Sequence, residues 1–114
     1  MPSYRDIEMK VIEWAQARKI IPNSTPVAQA RKTLEEAGEL LEAATCLGYD
    51  LDTAHNAEAL AKFKDAAGDV LVTLVNACAL ADVDLIDCFA GSYDEIKDRK
   101  GTLRTDGVFV KELP

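Results

Sequence analysis

AAGDVLVTLVNACALA, residues 66–81, is apolar nearly all round: Val70, Leu71, Val72, Leu74, Val75, Cys78 and Leu80 leave little polar surface for a helix to present to water. A run of this texture reads as a helix buried on most sides, and it implies neighbours that cover it. Its polar exceptions are ordered. With Asp69 at zero and about 100° per residue, Asp65 and Thr73 fall about 40° to either side and Asn76 about 20° away. Lys62 lies near the same line, so Lys62, Asp65, Asp69, Thr73 and Asn76 form one stripe. Such a stripe is either a hydrogen-bond network that sets the register between helices or a row of ligands. Two acids without a matching cationic row favour the second.

Working outward, the remaining helices are marked by their caps. Ser3 with Asp6 resembles a capping box that has Asp in place of Glu, opening a first helix through about Lys19. Residues 20–26, IIPNSTP, are a break. Thr25 as N-cap and Pro26 at the first helical position start a second helix, which Gly48 ends. After a loop at Tyr49–Asp52, the apolar helix begins at Thr53 or Asn56 and runs to Ala81. Asp84 caps a fourth, from Leu85 to about Lys100, stopped by Gly101. The last thirteen residues read as an irregular or extended tail. Four helices with short connections, and no internal repeat or linker, predict a single all-α domain over residues 1–114, arranged as a four-helix bundle.

Composition narrows the functions available. The chain has 114 residues, 48% of them hydrophobic and 29% charged, which suits one folded domain. With 13 basic and 20 acidic residues the net charge is −7, which disfavours a protein that coats nucleic acid. No apolar run is long enough for a membrane helix, and MPSYRDIEMK has no apolar signal core, so neither membrane nor secretion is expected. Cys46, Cys78 and Cys88 are odd in number and lie in apolar periodic segments. They read as small core residues of a cytoplasmic protein.

The second helix holds TLEEAGELLE, residues 33–42. Four carboxylates in such a run are usually a solvated face, but helix geometry separates them. Leu40, Ala43 and Leu47 fall within about 40° of Glu36, Glu39 about 60° away, and Glu35 and Glu42 about 100–120° away. Glu36 therefore lies inside the apolar arc, Glu39 on its margin, and Glu35 and Glu42 in water. An inward carboxylate pair calls for a cation, because an isolated buried carboxylate is very costly. Glu36 and Glu39 facing Asp65 and Asp69 make an oxygen-only donor set, which favours the hard cations Mg²⁺ or Mn²⁺. The single histidine, His55, excludes both a di-iron site built on Glu-x-x-His pairs and a Ser–His hydrolase triad. Lys97, Arg99, Lys100 and Arg104 could neutralise phosphates, although cations at a helix C-terminus are also favourable by themselves. Lys32 is a second phosphate candidate or one half of an i, i+4 pair with Glu36. Trp14 could stack a base or pack with Ile7 and Val11.

The constellation resembles the MazG-like all-α nucleotide pyrophosphatases, including their short phage and integron-borne members. That family carries Glu-x-x-Glu, a spacer, then Glu-x-x-Asp. Glu36-Ala-Gly-Glu39 matches the first half, and Asp69 matches the final Asp. The similarity extends to STP (24–26) with Gln29 and Lys32, and to DRKG (98–101) followed by GVFV (107–110), so it covers most of the chain. One departure stands out: Ala66 occupies the position of the third Glu, and Asp65 is the nearest acid.

The resemblance implies hydrolysis of a (deoxy)nucleoside triphosphate between its α and β phosphates, giving a monophosphate and pyrophosphate. Mg²⁺, or Mn²⁺ in its place, would be held by Glu36, Glu39, Asp65 and Asp69. Glu35 or Glu39 would orient the attacking water or take its proton. Lys32, Lys97, Arg99 and Lys100 would bind phosphates, and Trp14, Gln29, Thr73 and Asn76 would contact base and sugar. The resemblance also implies a homodimer or homotetramer. Two alternatives remain at this level: phosphoribosyl-ATP pyrophosphatase, with the same chemistry on another substrate, and a non-catalytic helical binding module with a degenerate site.

Overall fold

The computed structural model describes residues 1–48 and 54–113, and the chain divides into two compact units, Met1–Val83 and Asp84–Pro114. The first contains α1 (Tyr4–Ala17), α2 (Ile20–Asn23), α3 (Pro26–Leu47) and α4 (Ala54–Leu80). The second contains α5 (Leu85–Ile96) and the strands β1 (Gly101–Leu103) and β2 (Phe109–Lys111). The protein is thus mostly helical, as expected. None of its described helices is long and apolar enough to cross a membrane. The expected loop at Tyr49–Asp52 and the alternative helix start at Thr53 lie outside the described residues.

Local chemistry sets the helix starts. Ser3 Oγ accepts from the Asp6 amide and Asp6 Oδ2 from the Ser3 amide, both at 3.2 Å, so the Asp version of the capping box forms. Thr25 Oγ1 accepts from the Ala28 amide at 3.1 Å with Pro26 following it, and Asp84 Oδ1 accepts from Ile86 at 2.9 Å. The ends differ more from expectation. α1 stops at Ala17, short of Lys19, because Lys19 adopts a left-handed conformation with φ 64°. The expected break contains the short kinked helix α2, with Ile21 extended inside it. α4 closes in a Schellman turn, in which the Val83 amide bonds to the Cys78 carbonyl at 2.8 Å while Asp82 takes the left-handed position.

α5 ends at Ile96 rather than near Lys100. The tail then forms an antiparallel hairpin in which Thr102 faces Val110. Gly101 permits this pairing, since a Cβ there would run into the Val110 carbonyl and the Phe109 ring. Within this second unit α5 packs on neither strand, and its residues from Asp87 onward are exposed.

α3 and α4 form the centre of the first unit, running antiparallel, while α1 and α2 pack on α4. A hydrogen bond of 2.7 Å from Thr33 Oγ1 to Thr73 Oγ1 fixes their register. The buried apolar residues are small: Ala15, Ala43, Ala59, Ala66 and Val75. Small side chains let helix backbones approach closely. Buried polar residues match them in number, namely Glu8, Glu36, Asn56, Thr73 and Asn76, a polar interior that calls for partners. α4 is covered less fully than its apolar sequence implies, with Leu60 and Leu71 exposed. Two of the cysteines also correct the sequence reading. Cys46 and Cys88 are exposed and only Cys78 is partly buried, because Cys46 flanks a groove and Cys88 lies on α5.

Candidate metal centre

Glu36 sits on the side of α3 that packs against α4, where its periodicity places it, and is only 8% exposed. Its Oε2 is buried with no hydrogen-bond partner, while Oε1 lies 3.7 Å from Lys32 Nζ. The Glu39 carboxyl, close enough to share a proton with it, is the main cause that raises the Glu36 carboxyl above the usual carboxylate range. Burial and the Glu39 charge add to this, against the pull of Lys32. On α4, burial first and then the charges of Asp65 and Glu36 push the half-buried Asp69 up as well. Carboxylates from both helices therefore repel one another in a polar seam.

Glu39 and Asp65 are exposed. They share the walls of a groove of about 540 Å³ between α3 and α4, whose lining includes the buried Ala43, Ala59 and Ala66. Ala66 thus faces the same groove as Asp65. Glu42, Cys46, Glu58 and Lys62 complete the lining, and Lys62 Nζ pairs with Glu58 at 3.5 Å. Sequence reasoning assigned Glu42 to bulk water and passed over Glu58. The available signal was the i, i+3 and i, i+7 spacing of Glu39, Glu42 and Cys46, facing Glu58 and Asp65 at i, i+7.

The other expected site residues are placed less uniformly. Lys32 Nζ reaches Glu35 Oε1 at 3.2 Å as well as Glu36, so it forms the local pair anticipated as its alternative role. Glu35 is largely exposed. Thr73 is buried, and its hydroxyl donates to the Val70 carbonyl at 2.8 Å while accepting from Thr33. That is the register-setting hydrogen bond considered for the polar stripe. Asn76 is 2% exposed, and its Oδ1 has no hydrogen-bond partner. Gln29 donates to Ser24 Oγ at 3.1 Å. Trp14 is half-exposed, with the Arg18 guanidinium 5.4 Å from its ring centre. Lys97, Arg99 and Lys100 belong to the second unit and are exposed, with Lys97 3.4 Å from Asp94.

Among the described residues, no three His, Cys, Asp or Glu side chains are gathered closely enough to hold a metal ion. The donor set nevertheless fits a hard cation. It is all oxygen, it contains a buried carboxylate oxygen without a partner, and the proton affinity of Glu36 and Asp69 is raised by burial and neighbouring carboxylates, an effect a bound cation would oppose. The seam can hold a cation only if Glu39 and Asp65 turn inward to meet Glu36 and Asp69. In comparisons with known proteins, the chain matches no family model, no curated protein and no solved structure.

Proposed function

We propose that this chain is a Mg²⁺-dependent nucleoside triphosphate pyrophosphatase, cytoplasmic and assembled as a homodimer or homotetramer, that cleaves between the α and β phosphates. One observation carries the reading: Glu36 is buried with one carboxylate oxygen unpartnered, and neighbouring carboxylates, Glu39 on α3 and Asp65 on α4, help raise the proton affinity of Glu36 and Asp69.

Glu36, Glu39, Asp65 and Asp69 would hold Mg²⁺ or Mn²⁺. The ion, when bound, polarises a phosphoryl group and lowers the pKa of a water. Glu39, at the groove edge, accepts a proton from the attacking water as its oxygen bonds to the α phosphorus and the bond to the bridging oxygen breaks. Glu35 is the second candidate for this role, but its pairing with Lys32 ties it to the outer side of α3. Lys97, Arg99 and Lys100 of the second unit are the cations that the family resemblance assigns to the charge of the departing pyrophosphate. The groove beside Glu39 and Asp65 has the volume of a small-molecule site.

A non-catalytic helical module is the second reading, favoured by Ala66 and by the absence of a gathered cation-holding group among the described residues. Incubation with each nucleoside triphosphate and Mg²⁺ separates the two. A monophosphate plus pyrophosphate supports the enzyme, and orthophosphate means that a different bond is cut. No turnover of any nucleotide, with no Mg²⁺ or Mn²⁺ binding, leaves the module.

A further inference from the structure

The groove between α3 and α4 is lined by four carboxylates, those of Glu39, Glu42, Glu58 and Asp65, and among its described lining residues by a single cation, Lys62. The register of the two helices places that cation. Thr33 bonds to Thr73, so successive turns of the antiparallel pair bring Glu36 beside Asp69, Glu39 beside Asp65 and Ala66, and Ala43 beside Lys62. Lys62 therefore stands three residues, about 4.5 Å of helix rise, beyond Asp65 on the side away from Glu36 and Asp69. The other cations considered for phosphate are placed differently. Lys32 is held by Glu35 at 3.2 Å and Glu36 at 3.7 Å and does not line the groove, while Lys97, Arg99 and Lys100 belong to the second unit.

We propose that Lys62 is a phosphate-binding residue of this site, its ammonium group exchanging Glu58 for the oxygens of the substrate's phosphate chain. The inference rests on the nucleoside triphosphate reading above and adds a direction to it: the phosphates lie along the groove from the paired carboxylates toward Lys62.

The present partner of Lys62 is easily given up. Its Nζ lies 3.5 Å from Glu58, and the two side chains are 71% and 69% exposed, an i, i+4 surface pair of the kind that contributes little. A phosphate oxygen offers the ammonium a charge-assisted bond in a more enclosed place. Lysine suits the exchange, because its three donors sit on a flexible stem and need no fixed orientation. Ala66, four residues after Lys62, is buried and ends in a methyl group. The groove floor at that position thus carries neither a carboxylate to compete for Lys62 nor bulk to exclude a phosphate. With Glu39 and Asp65 engaged by a cation as proposed, the groove beyond them holds Glu42 and Glu58. Lys62 is the group there that attracts an anionic chain.

Inorganic triphosphate is the probe, since it carries the phosphate chain without base or sugar. Its binding to the full chain in Mg²⁺, followed by calorimetry, is expected to weaken about tenfold or more in Lys62→Gln. Lys62→Arg is expected to keep the affinity within about threefold, and Glu58→Gln to tighten it by about two- to fivefold. Opposite signs in the two glutamine variants exclude a general loss of fold, which circular dichroism checks independently. In turnover of a cleaved nucleoside triphosphate, Lys62→Gln is expected to raise KM and leave kcat nearly unchanged, a split that a residue merely supporting α4 would not produce. Triphosphate affinity that is unchanged in Lys62→Gln, or absent in the wild type, overturns the proposal even where nucleotides are cleaved. A loss in Glu58→Gln equal to that in Lys62→Gln overturns it too, because the ion pair would then be structural. Lys62-dependent triphosphate binding in a chain that cleaves no nucleotide upholds the phosphate site and overturns the enzymatic reading instead.

Discussion

The two long sides of α3 both depart from an ordinary surface helix: the inner, although apolar at Leu40, Ala43 and Leu47, also buries polar groups, and the outer exposes large apolar ones. Its inner side carries Thr33 and the buried Glu36 against Thr73 and Asp69 of α4, whereas its outer side carries Val27, Leu34 and Leu41 in the open. A helix stabilised only by its own unit would place these the other way round. The difference teaches that each side answers to something other than local packing. Polar groups inside are costly unless a ligand meets them, and apolar groups outside gain by association. The first side is where chemistry is sought and the second is where a partner is sought.

The inner side breaks first under substitution of its carboxylates. Glu39→Gln is expected to lower turnover of a cleaved nucleoside triphosphate by about 10²–10⁴-fold, measured by pyrophosphate release, with helical circular dichroism unchanged. Next comes the hydrogen bond that holds the two helices in register. Thr73→Val removes the acceptor for Thr33, whose single hydroxyl hydrogen then turns to the Gln29 carbonyl at 3.0 Å. The expected cost is therefore modest, about 1 kcal/mol in urea unfolding.

A pH series sharpens the contrast without any substitution. Glu36 and Asp69 hold protons more tightly when folded than when unfolded. Folded protein then binds more protons than unfolded protein between the two pKa values, so stability falls as pH rises through that window. At more acidic pH both groups are neutral in both states and the penalty vanishes. In metal-free protein the melting temperature is expected to decline from the acidic side of this window toward neutrality. Mg²⁺ is expected to restore it at neutral pH and to do little where the carboxyls are protonated. The smallest effect belongs to Glu42, on the groove wall but away from the inner seam. Glu42→Gln is expected to change the KM of a cleaved nucleotide by no more than about threefold.

Legibility of the fold followed the range of the interactions involved. The caps at Ser3, Thr25 and Asp84 bond to backbone within three residues, so their chemistry is present in the local sequence. The inward turn of Glu36 followed from a single helical period. The Schellman turn was harder to read because Asp82, not glycine, takes its left-handed position. The end of α5 at Ile96 has no glycine or proline to announce it before Gly101. The groove walls were least legible. Glu42 and Glu58 share a cavity only because of the register between α3 and α4, and helical period alone does not determine how two helices slide past each other. The same applies to Thr73, placed among sugar contacts by its stripe and found bonded to Thr33.

Titration of the metal-free chain with Mn²⁺, followed by electron paramagnetic resonance in the presence of a non-hydrolysable nucleoside triphosphate, tests the carboxylate seam most directly. Saturable binding in the wild type that is lost in both Glu36→Gln and Asp69→Asn is the result expected. Unchanged Mn²⁺ binding in those two variants, or none in the wild type, would contradict it.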